Sequence, residues 1–104
     1  MFYIYILHSE SANKYYIGYT EDTLRRLNEH NTSRHNTYTS KYRPWSISAV
    51  FAVSEKRSES MLCEQKLKKL KSRKVIIELI KHNGDVEFLF KFLSVKKAQA
   101  NYEI

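Results

Sequence analysis

Two short segments near the start of the chain constrain its fold more than any other feature. Residues 2–8 and residues 15–20 are rich in β-branched and aromatic side chains, and the polar residues 9–14 separate them. Such a pair of segments is typical of two strands joined by a turn. We therefore predict an antiparallel β-hairpin at the start of the chain.

The register of this hairpin follows from the face that must be buried. Side chains alternate between the two faces of a strand, so the apolar sets of the two strands must align on one face. We predict that the buried face carries Phe2, Ile4, Ile6, Tyr15, Ile17 and Tyr19. The opposite face then carries Tyr3, Tyr5, Tyr16 and Gly18. Tyr5 and Tyr16 should consequently lie on the same face.

A helix, a loop and a third strand are predicted to follow the hairpin. Thr20 or Asp22 can cap a helix that runs to about Asn31. Residues 32–44 are polar, basic and aromatic without periodicity, so we expect an exposed loop there. The third strand is indicated by the alternation, with serines, of Trp45, Ile47, Ala49, Phe51 and Val53.

Three helices are predicted after the third strand. The first begins at Ser58, and Ser72 caps the second, which ends at Asn83 and Gly84. The apolar stripe of the first consists of Cys63, Leu67 and Leu70. Residues 85–104 carry acidic side chains early and lysines late, which favours a helix over a strand.

The fold class predicted from these elements is α/β (α+β). A small three-stranded antiparallel sheet is flanked by helices, in the order β-β-α-β-α-α with an extra C-terminal helix. We expect one domain at residues 1–82 and a helical extension at residues 83–104 that packs on the same domain. A chain of 104 residues has room for one hydrophobic core.

The charge balance points to a polyanionic partner. The 18 basic residues exceed the 11 acidic ones, which gives a net charge of +7 and a pI near 9.5. Nucleic acid, with DNA foremost, is the partner that such a charge favours, and solubility alone is the alternative explanation. The sequence leaves the oligomeric state open.

Cysteine content and hydropathy indicate a cytoplasmic protein. Cys63 is the single cysteine and has no partner for an internal disulfide, which fits a reducing compartment. Its position in a helical stretch favours a buried, inert thiol. The apolar residues 2–7 are too few for a membrane span or a signal-peptide core, so we expect no membrane association.

Two tripeptides lie on the predicted paired strands. The first reads Tyr3, Ile4, Tyr5, and the second reads Tyr16, Ile17, Gly18. Eleven positions separate Tyr5 from Tyr16, and ten separate Tyr16 from Arg26. His30 follows Arg26 by four positions, which places both side chains on one flank of the predicted helix. Glu64 lies in a later helical segment, after Leu62 and Cys63 and before Gln65.

These positions resemble the GIY-YIG nuclease family over about residues 2–80. The likeness is closest to the small stand-alone bacterial type related to the nuclease subunit of excision repair. The second family triad is intact, whereas Tyr3 replaces the glycine of the first. Some members carry an asparagine after the glutamate, and this chain has no clear match, because Asn83 is placed as a helix stop.

The resemblance implies a divalent-metal-dependent endonuclease that hydrolyses phosphodiester bonds in DNA, with residues 1–82 as its nuclease domain. Glu64 would hold one Mg²⁺ or Mn²⁺ ion, because carboxylate oxygens suit hard cations. Arg26 would bind phosphate oxygens through its planar fork of donors. Tyr5 would act as the general base, with His30 as the alternative.

Two further residues of the family pattern have supporting roles in this scheme. Tyr16 would position the attacking water or share the role of base. Gly18 would let the backbone or the substrate approach closely, although a strand bulge explains a glycine there nearly as well. By contrast, His8, His35 and His82 lack metal-ligand spacing and receive no role.

Basic and aromatic residues outside the triads are candidates for nucleic-acid contacts. We expect this role for Arg34, Lys41, Tyr42, Arg43, Lys71 and Arg73. Two other functions stay open on sequence grounds. One is a non-catalytic nucleic-acid-binding module that retains the nuclease fold, and the other is a protein-interaction subunit that docks through the phenylalanine-rich tail.

Overall fold

The computed structural model of the protein describes residues 1–34 and 37–93. The strands of these residues are β1 (Phe2–Ser9), β2 (Lys14–Thr20) and β3 (Trp45–Ser54). Their helices are α1 (Thr23–Thr32), α2 (Tyr38–Lys41), α3 (Arg57–Leu70), α4 (Arg73–Lys81) and α5 (Val86–Leu93). The predicted mixed α+β architecture is confirmed, with one additional short helix, α2.

The hairpin forms in the predicted register. β1 pairs antiparallel with β2, so that Tyr5 lies opposite Gly18 and Leu7 lies opposite Tyr16. Residues opposite each other in an antiparallel pair point to the same side of the sheet, and Tyr5 and Tyr16 therefore share a face, as predicted. The strand order is β2-β1-β3, which leaves β2 at an edge of the sheet.

A bulge in β3 divides its apolar residues between the two faces of the sheet. Ile6 of β1 pairs with Ala49, but the next residue, Leu7, pairs with Ile47, so that Ser48 is an extra residue on β3. One inserted residue reverses the facing of every side chain beyond it. The apolar residues before Ser48 consequently pack on the face of Tyr5, and those after it on both faces.

Helices cover both faces of the sheet. The larger cluster joins the apolar hairpin face to α3, α4 and α5, and its buried members are Ile4, Ile6, Ile17, Ala49, Phe51, Cys63, Leu67, Leu79, Leu89, Phe90 and Leu93. On the opposite face, Tyr5, Leu7 and Trp45 form a smaller cluster with Leu27 of α1 packed against it. The face that carries the two expected site tyrosines is thus itself a packed layer.

Side-chain caps begin two helices where the sequence predicts them. At the start of α1, the Asp22 carboxylate accepts a hydrogen bond from the backbone N–H of Arg25. At the start of α4, the Ser72 hydroxyl accepts one from the backbone N–H of Val75. Each cap satisfies a backbone donor that the helix itself leaves unpaired.

Helix α3 differs from its prediction at both ends. It begins at Arg57, one residue before the predicted start at Ser58. Leu70, expected in the apolar stripe, is 42% exposed because it is the last residue of the helix. Lys71 then adopts a left-handed backbone conformation, with φ of 47°, and the chain turns away into α4.

Residues 37–44, the described part of the predicted exposed loop after residue 34, include a short helix and buried contacts that their composition does not predict. Thr37 and Ser40 form a capping box that begins α2, and Thr39 of that helix is buried. The indole N–H of Trp45 donates to the carbonyl oxygen of Thr39 at 2.8 Å, which ties the segment to the start of β3. The loop prediction was wrong here because short polar side chains make these hydrogen bonds, and a segment rich in such side chains has the composition of a loop.

The predicted C-terminal helix is confirmed over Val86–Leu93, where α5 packs against β3 and α3. The remainder of that prediction, residues 94–104, lies outside the described residues. Among the residues that the structure describes, none of the helices has the length and apolarity needed to cross a membrane.

Candidate active site

Four of the five expected catalytic and metal-binding residues border one cavity at the edge of the sheet. Tyr5, Tyr16, Arg26 and Glu64 line this cavity, whose volume is about 310 Å³. We call it the edge cavity. The two tyrosines come from the hairpin, Arg26 from α1 and Glu64 from α3. Because α1 and α3 pack on opposite faces of the sheet, these side chains meet around the edge strand β2.

Gly18 makes room for the phenol ring of Tyr5. The two residues pair across the hairpin, and a Cβ atom on Gly18 would lie 2.6 Å from Cζ of Tyr5 and still closer to its hydroxyl oxygen. Non-bonded atoms do not approach so closely at rest. The pairing register is regular through Gly18, so the glycine accommodates Tyr5 and does not mark a bulge.

His30 lies behind Tyr5 and is joined to it by a hydrogen bond. The Tyr5 hydroxyl is 2.9 Å from Nε2 of His30, and Nδ1 of His30 is 3.0 Å from Oγ1 of Thr39. The positive charge of Arg26 also acts on the Tyr5 hydroxyl, and a guanidinium can only donate. The hydrogen-bonding groups of Tyr5 and His30 all have partners when the Tyr5 O–H donates to Nε2 of His30 and the Nδ1–H of His30 donates to Oγ1 of Thr39. His30 is then a neutral acceptor facing Tyr5.

Burial favours the neutral forms of both partners in this pair. Burial raises the pKa of Tyr5 to about 12, and the positive charge of Arg26 opposes that rise. Burial and then the charge of Arg26 lower the pKa of His30 to about 4, and only 6% of the residue is exposed. At neutral pH, Tyr5 is therefore protonated and His30 is uncharged.

Arg26 is held by an acidic neighbour on its own helix. Its guanidinium lies 2.5 Å from a carboxylate oxygen of Glu29, and Arg25 lies 2.7 Å from the other oxygen. Hydrogen bonds from Arg26 and then Arg25 lower the pKa of Glu29. The Glu29 carboxylate therefore occupies, as an anion, the donor fork that the sequence assigns to phosphate.

The side chain of Glu64 lines the edge cavity and is largely buried. It is 16% exposed, and Nζ of Lys68, one turn later on α3, lies 3.7 Å from its carboxylate. Glu21 also lines the edge cavity, but the described residues contain no group of three or more His, Cys, Asp or Glu side chains that could enclose a metal ion. A carboxylate in a polar cavity nevertheless fits Mg²⁺, which keeps several water ligands and binds through one or two carboxylates plus phosphate.

Tyr16 lies where three cavities adjoin. Besides the edge cavity, it lines a cavity of about 550 Å³ with Arg26 and His30, and a third of about 360 Å³ with residues of α3 and α4. Its ring packs 4.7 Å from His30 between centroids, and Nζ of Lys68 lies 5.3 Å from its centroid. Tyr16 is thus the shared wall between the expected catalytic residues and a neighbouring cleft.

The residues expected to bind nucleic acid are separated into different surroundings. Lys71 and Arg73 line the 360 Å³ cavity beside Tyr16. Arg34 and Lys41 are exposed, and Tyr42 packs against the smaller core cluster. Arg43 donates to the carbonyl oxygens of His30 and Ser33, which uses its guanidinium to hold the end of α1.

Three further residues of this surface are not among the nucleic-acid contacts selected from the sequence. Lys14, Tyr38 and Lys68 line the same cavity as Lys71 and Arg73. Lys68 follows Glu64 by four positions on one helix, and that spacing was a signal for its location. Tyr38 and Lys14 carried no such signal, because α2 and the closed end of the hairpin approach α3 only in the folded chain.

The remaining candidates have structural roles or none. Cys63 is buried, as predicted, and burial raises the pKa of its thiol. The Asn83 carboxamide oxygen accepts a hydrogen bond from the backbone N–H of Val50 at 2.8 Å, so this asparagine supports β3 and is not part of the edge cavity. His8 hydrogen-bonds Asn13, and His35 lies outside the described residues.

Comparison with known proteins gives a consistent result. The GIY-YIG catalytic domain family model matches residues 1–76. A UPF0213 protein of Listeria monocytogenes is 38% identical over 85 residues, which cover 82% of this chain and 92% of that protein. A UPF0213 protein of Streptococcus pneumoniae is 32% identical over 90 residues, covering 86% of this chain and 88% of that protein.

One solved structure is also similar in sequence. It is the solution NMR structure of a UPF0213 protein from Bacillus halodurans, at 30% identity, with 92% of this chain and 100% of that chain covered and a TM-score of 0.48. The family match covers residues 1–76 and therefore includes every residue that lines the edge cavity. The chain therefore belongs to the GIY-YIG family, a nuclease-type family, and its relatives are small bacterial UPF0213 proteins.

Proposed function

We propose that this protein is a metal-dependent endonuclease that hydrolyses phosphodiester bonds in DNA. The observation that carries the proposal is the edge cavity, where Glu64 and Arg26 converge with the tyrosines of the hairpin in a chain of a nuclease-type family. Phosphodiester hydrolysis needs an activated water, a donor for the phosphate oxygens and a proton acceptor. The cavity and the histidine behind it supply side chains for each need.

Arg26 is the residue suited to bind the scissile phosphate. Its planar guanidinium matches two phosphate oxygens, and charge-assisted bonds of this kind are strong and directional. In the free protein, Glu29 occupies part of this fork. A phosphate that enters the cavity replaces the Glu29 carboxylate on Arg26, while Arg25 retains Glu29.

Tyr5 and His30 form a path for the proton of the attacking water. As the water oxygen bonds to phosphorus, the bond from phosphorus to the leaving oxygen breaks, and the leaving oxygen takes up a proton from solvent. The proton of the attacking water passes to the Tyr5 oxygen, and the Tyr5 proton passes to Nε2 of His30. The 2.9 Å separation of these two atoms permits the second transfer. Tyr5 stays neutral throughout, in keeping with its raised pKa. Tyr16, on the same face, positions the water.

Glu64 would hold one Mg²⁺ or Mn²⁺ ion, which when bound lowers the pKa of a water ligand and neutralises charge on the phosphate. Nζ of Lys68 lies 3.7 Å from the Glu64 carboxylate and helps to orient it before binding. The single carboxylate leaves most of the coordination sphere to water and substrate, so we expect the ion to bind weakly in the absence of nucleic acid.

The test is Glu64→Gln, which keeps the shape of the side chain and removes its charge. We expect cleavage of labelled DNA in Mg²⁺ or Mn²⁺ to fall at least about 100-fold, because a metal ligand is lost. Affinity for DNA measured in EDTA should hold or rise slightly, since a negative charge near phosphate disappears. Glu59→Gln is the matched control, because Glu59 lies on the same helix and bonds the Ser54 hydroxyl outside the cavity.

Each outcome of this experiment is decisive for one candidate function. Equal cleavage by the parent, Glu64→Gln and Glu59→Gln would contradict the proposed site. A parent that binds tightly but cleaves neither DNA nor RNA with either metal would instead identify a binding module that retains the nuclease fold. Cleavage of RNA alone would correct the substrate and leave the roles of the side chains unchanged.

A further inference from the structure

Helix α3 carries a row of charged residues along the edge strand β2. Glu64 is followed on the same face of α3 by Lys68, one turn later, and the row ends at Lys71, just after the helix. Glu64 lines the edge cavity, whereas Lys68 and Lys71 line the 360 Å³ cavity. The row therefore connects the proposed metal ligand with a second cavity.

Four cations surround this second cavity, which we call the basic cleft. They are Lys14, Lys68, Lys71 and Arg73. No acidic side chain lines the basic cleft among the described residues. Arg73 lies 4.8 Å from the ring centroid of Tyr15, and Lys68 lies 5.3 Å from that of Tyr16. Lys68 also pairs with Glu64 from outside the cleft, and the other three cations have no ion pair within the described residues. Cations held over aromatic faces in a cleft that no carboxylate lines suit a ligand with both negative charge and aromatic groups.

Tyr38 gives the basic cleft an exposed aromatic ring. It is 46% exposed, and its ring lies nearly parallel to that of Tyr16, with 27° between the planes and 6.3 Å between centroids. Tyr42 and Trp45 pack against the other sides of Tyr38, at 5.1 Å and 6.3 Å. The ring is therefore held in place by its neighbours while one part of it remains open to a ligand.

We propose that the basic cleft binds an unpaired strand of nucleic acid that flanks the phosphate in the edge cavity, with a base stacked on Tyr38. The inference rests on the proposed function for the scissile site and adds the class of substrate. Glu64 and Lys71 are separated by about 10 Å of helix. The bound flank is therefore only a few nucleotides long.

An unpaired strand fits these residues better than a duplex does. A base can stack on a tyrosine only when its face is free, whereas the faces of bases in a duplex are occupied by their neighbours. A duplex also presents its phosphates on a convex surface, and the cations here line a concavity between β2, α2 and the junction of α3 with α4. Aromatic rings within a basic groove are the usual arrangement for single strands.

The experiment measures binding in EDTA, so that its outcome does not depend on cleavage. A fluorescent thymidine oligonucleotide, the same oligonucleotide with abasic sites, and a duplex of equal length are titrated with the protein. We expect the thymidine strand to bind roughly ten-fold more tightly than the abasic strand, the magnitude of one stacked base. The duplex should bind less tightly than the thymidine strand.

Variants assign the stacking to Tyr38. Tyr38→Ala should lose roughly ten-fold in affinity for the thymidine strand and none for the abasic strand, whereas Tyr38→Phe should behave like the parent. Lys71→Ala should weaken the binding of both strands, and Lys69→Ala is the matched control because Lys69 is an exposed lysine of α3 that does not line the basic cleft.

Several results would overturn the proposal even if the protein proves to be a nuclease. Equal affinity of the parent for the thymidine and abasic strands would show that no base stacks in the basic cleft. This result does not depend on whether Tyr38→Ala folds. Tighter binding of the duplex than of the thymidine strand would show that the preferred ligand is a duplex and not an unpaired strand. Conversely, a parent that shows the expected binding but no cleavage would contradict the proposed function alone.

Discussion

At the scale of single residues, Gly18 determines where the ring of Tyr5 can lie. In Gly18→Ala, the new methyl group would meet Cζ of Tyr5 at 2.6 Å, so the ring must move and its hydrogen bond to His30 must break. We expect a loss of about 1–3 kcal/mol in the free energy of unfolding, the usual cost of overpacking. The cleavage rate should fall by more than the smaller fraction of folded protein accounts for, because Tyr5 is also displaced. Urea unfolding and cleavage rates measure both, and unchanged values would contradict the steric role.

His30 provides a second prediction at this scale, in the pH dependence of stability. Its pKa is about 4 in the folded protein and near 6.5 when unfolded, so the unfolded chain binds more protons between these values. Stability from this residue is full above about pH 6.5 and is lost, by up to about 3 kcal/mol, as the pH falls to about 4. The difference between parent and His30→Gln in urea unfolding across this range isolates the effect. Parallel pH profiles of stability for the two proteins would show that folding does not lower the pKa of His30.

At the scale of elements, the start of β3 is fixed to the end of α1 by one side chain. The Asn31 carboxamide accepts from the backbone N–H of Trp45 at 2.7 Å and donates to its carbonyl oxygen at 3.0 Å. Asn31→Ala should therefore destabilise the fold by about 2 kcal/mol, because both backbone groups lose a partner. Asn28→Ala, on an exposed position of the same helix, is the control. Equal unfolding midpoints for the two variants would contradict this role for Asn31.

The elements also show which parts of the fold a sequence can predict. The hairpin was predictable down to the shared face of Tyr5 and Tyr16, because only one alignment buries both apolar sets. The bulge at Ser48 was not, since both faces of the sheet are buried and apolar residues suit either one. Likewise, the buried position of Thr39 depends on the distant Trp45, so local composition misassigned α2 as a loop.

At the scale of the whole molecule, the excess positive charge indicates a binding surface only once the positions of the cations in the fold are known. The sequence gives a net charge of +7 and allows many basic surfaces. Folding gathers Lys14 from β2, Lys68 from α3 and Arg73 from α4 around one cleft beside Tyr16, whereas Arg43 is used on backbone carbonyls. The family resemblance identified the candidate catalytic residues. The basic cleft, by contrast, joins residues that are far apart in the sequence. Its composition therefore required the tertiary structure.

This distribution leads to a prediction about salt. Each phosphate that a cation neutralises on a single strand releases counterions and contributes about −0.7 to the slope of log affinity against log salt. With four cations around the basic cleft, the slope for a thymidine strand should be about −3. Lys71→Ala should reduce its magnitude by about 0.7, and Lys69→Ala should leave it unchanged, because only Lys71 lines the cleft. Anisotropy titrations at several salt concentrations in EDTA give these slopes, and equal slopes for the two variants would show that Lys71 does not contact phosphate.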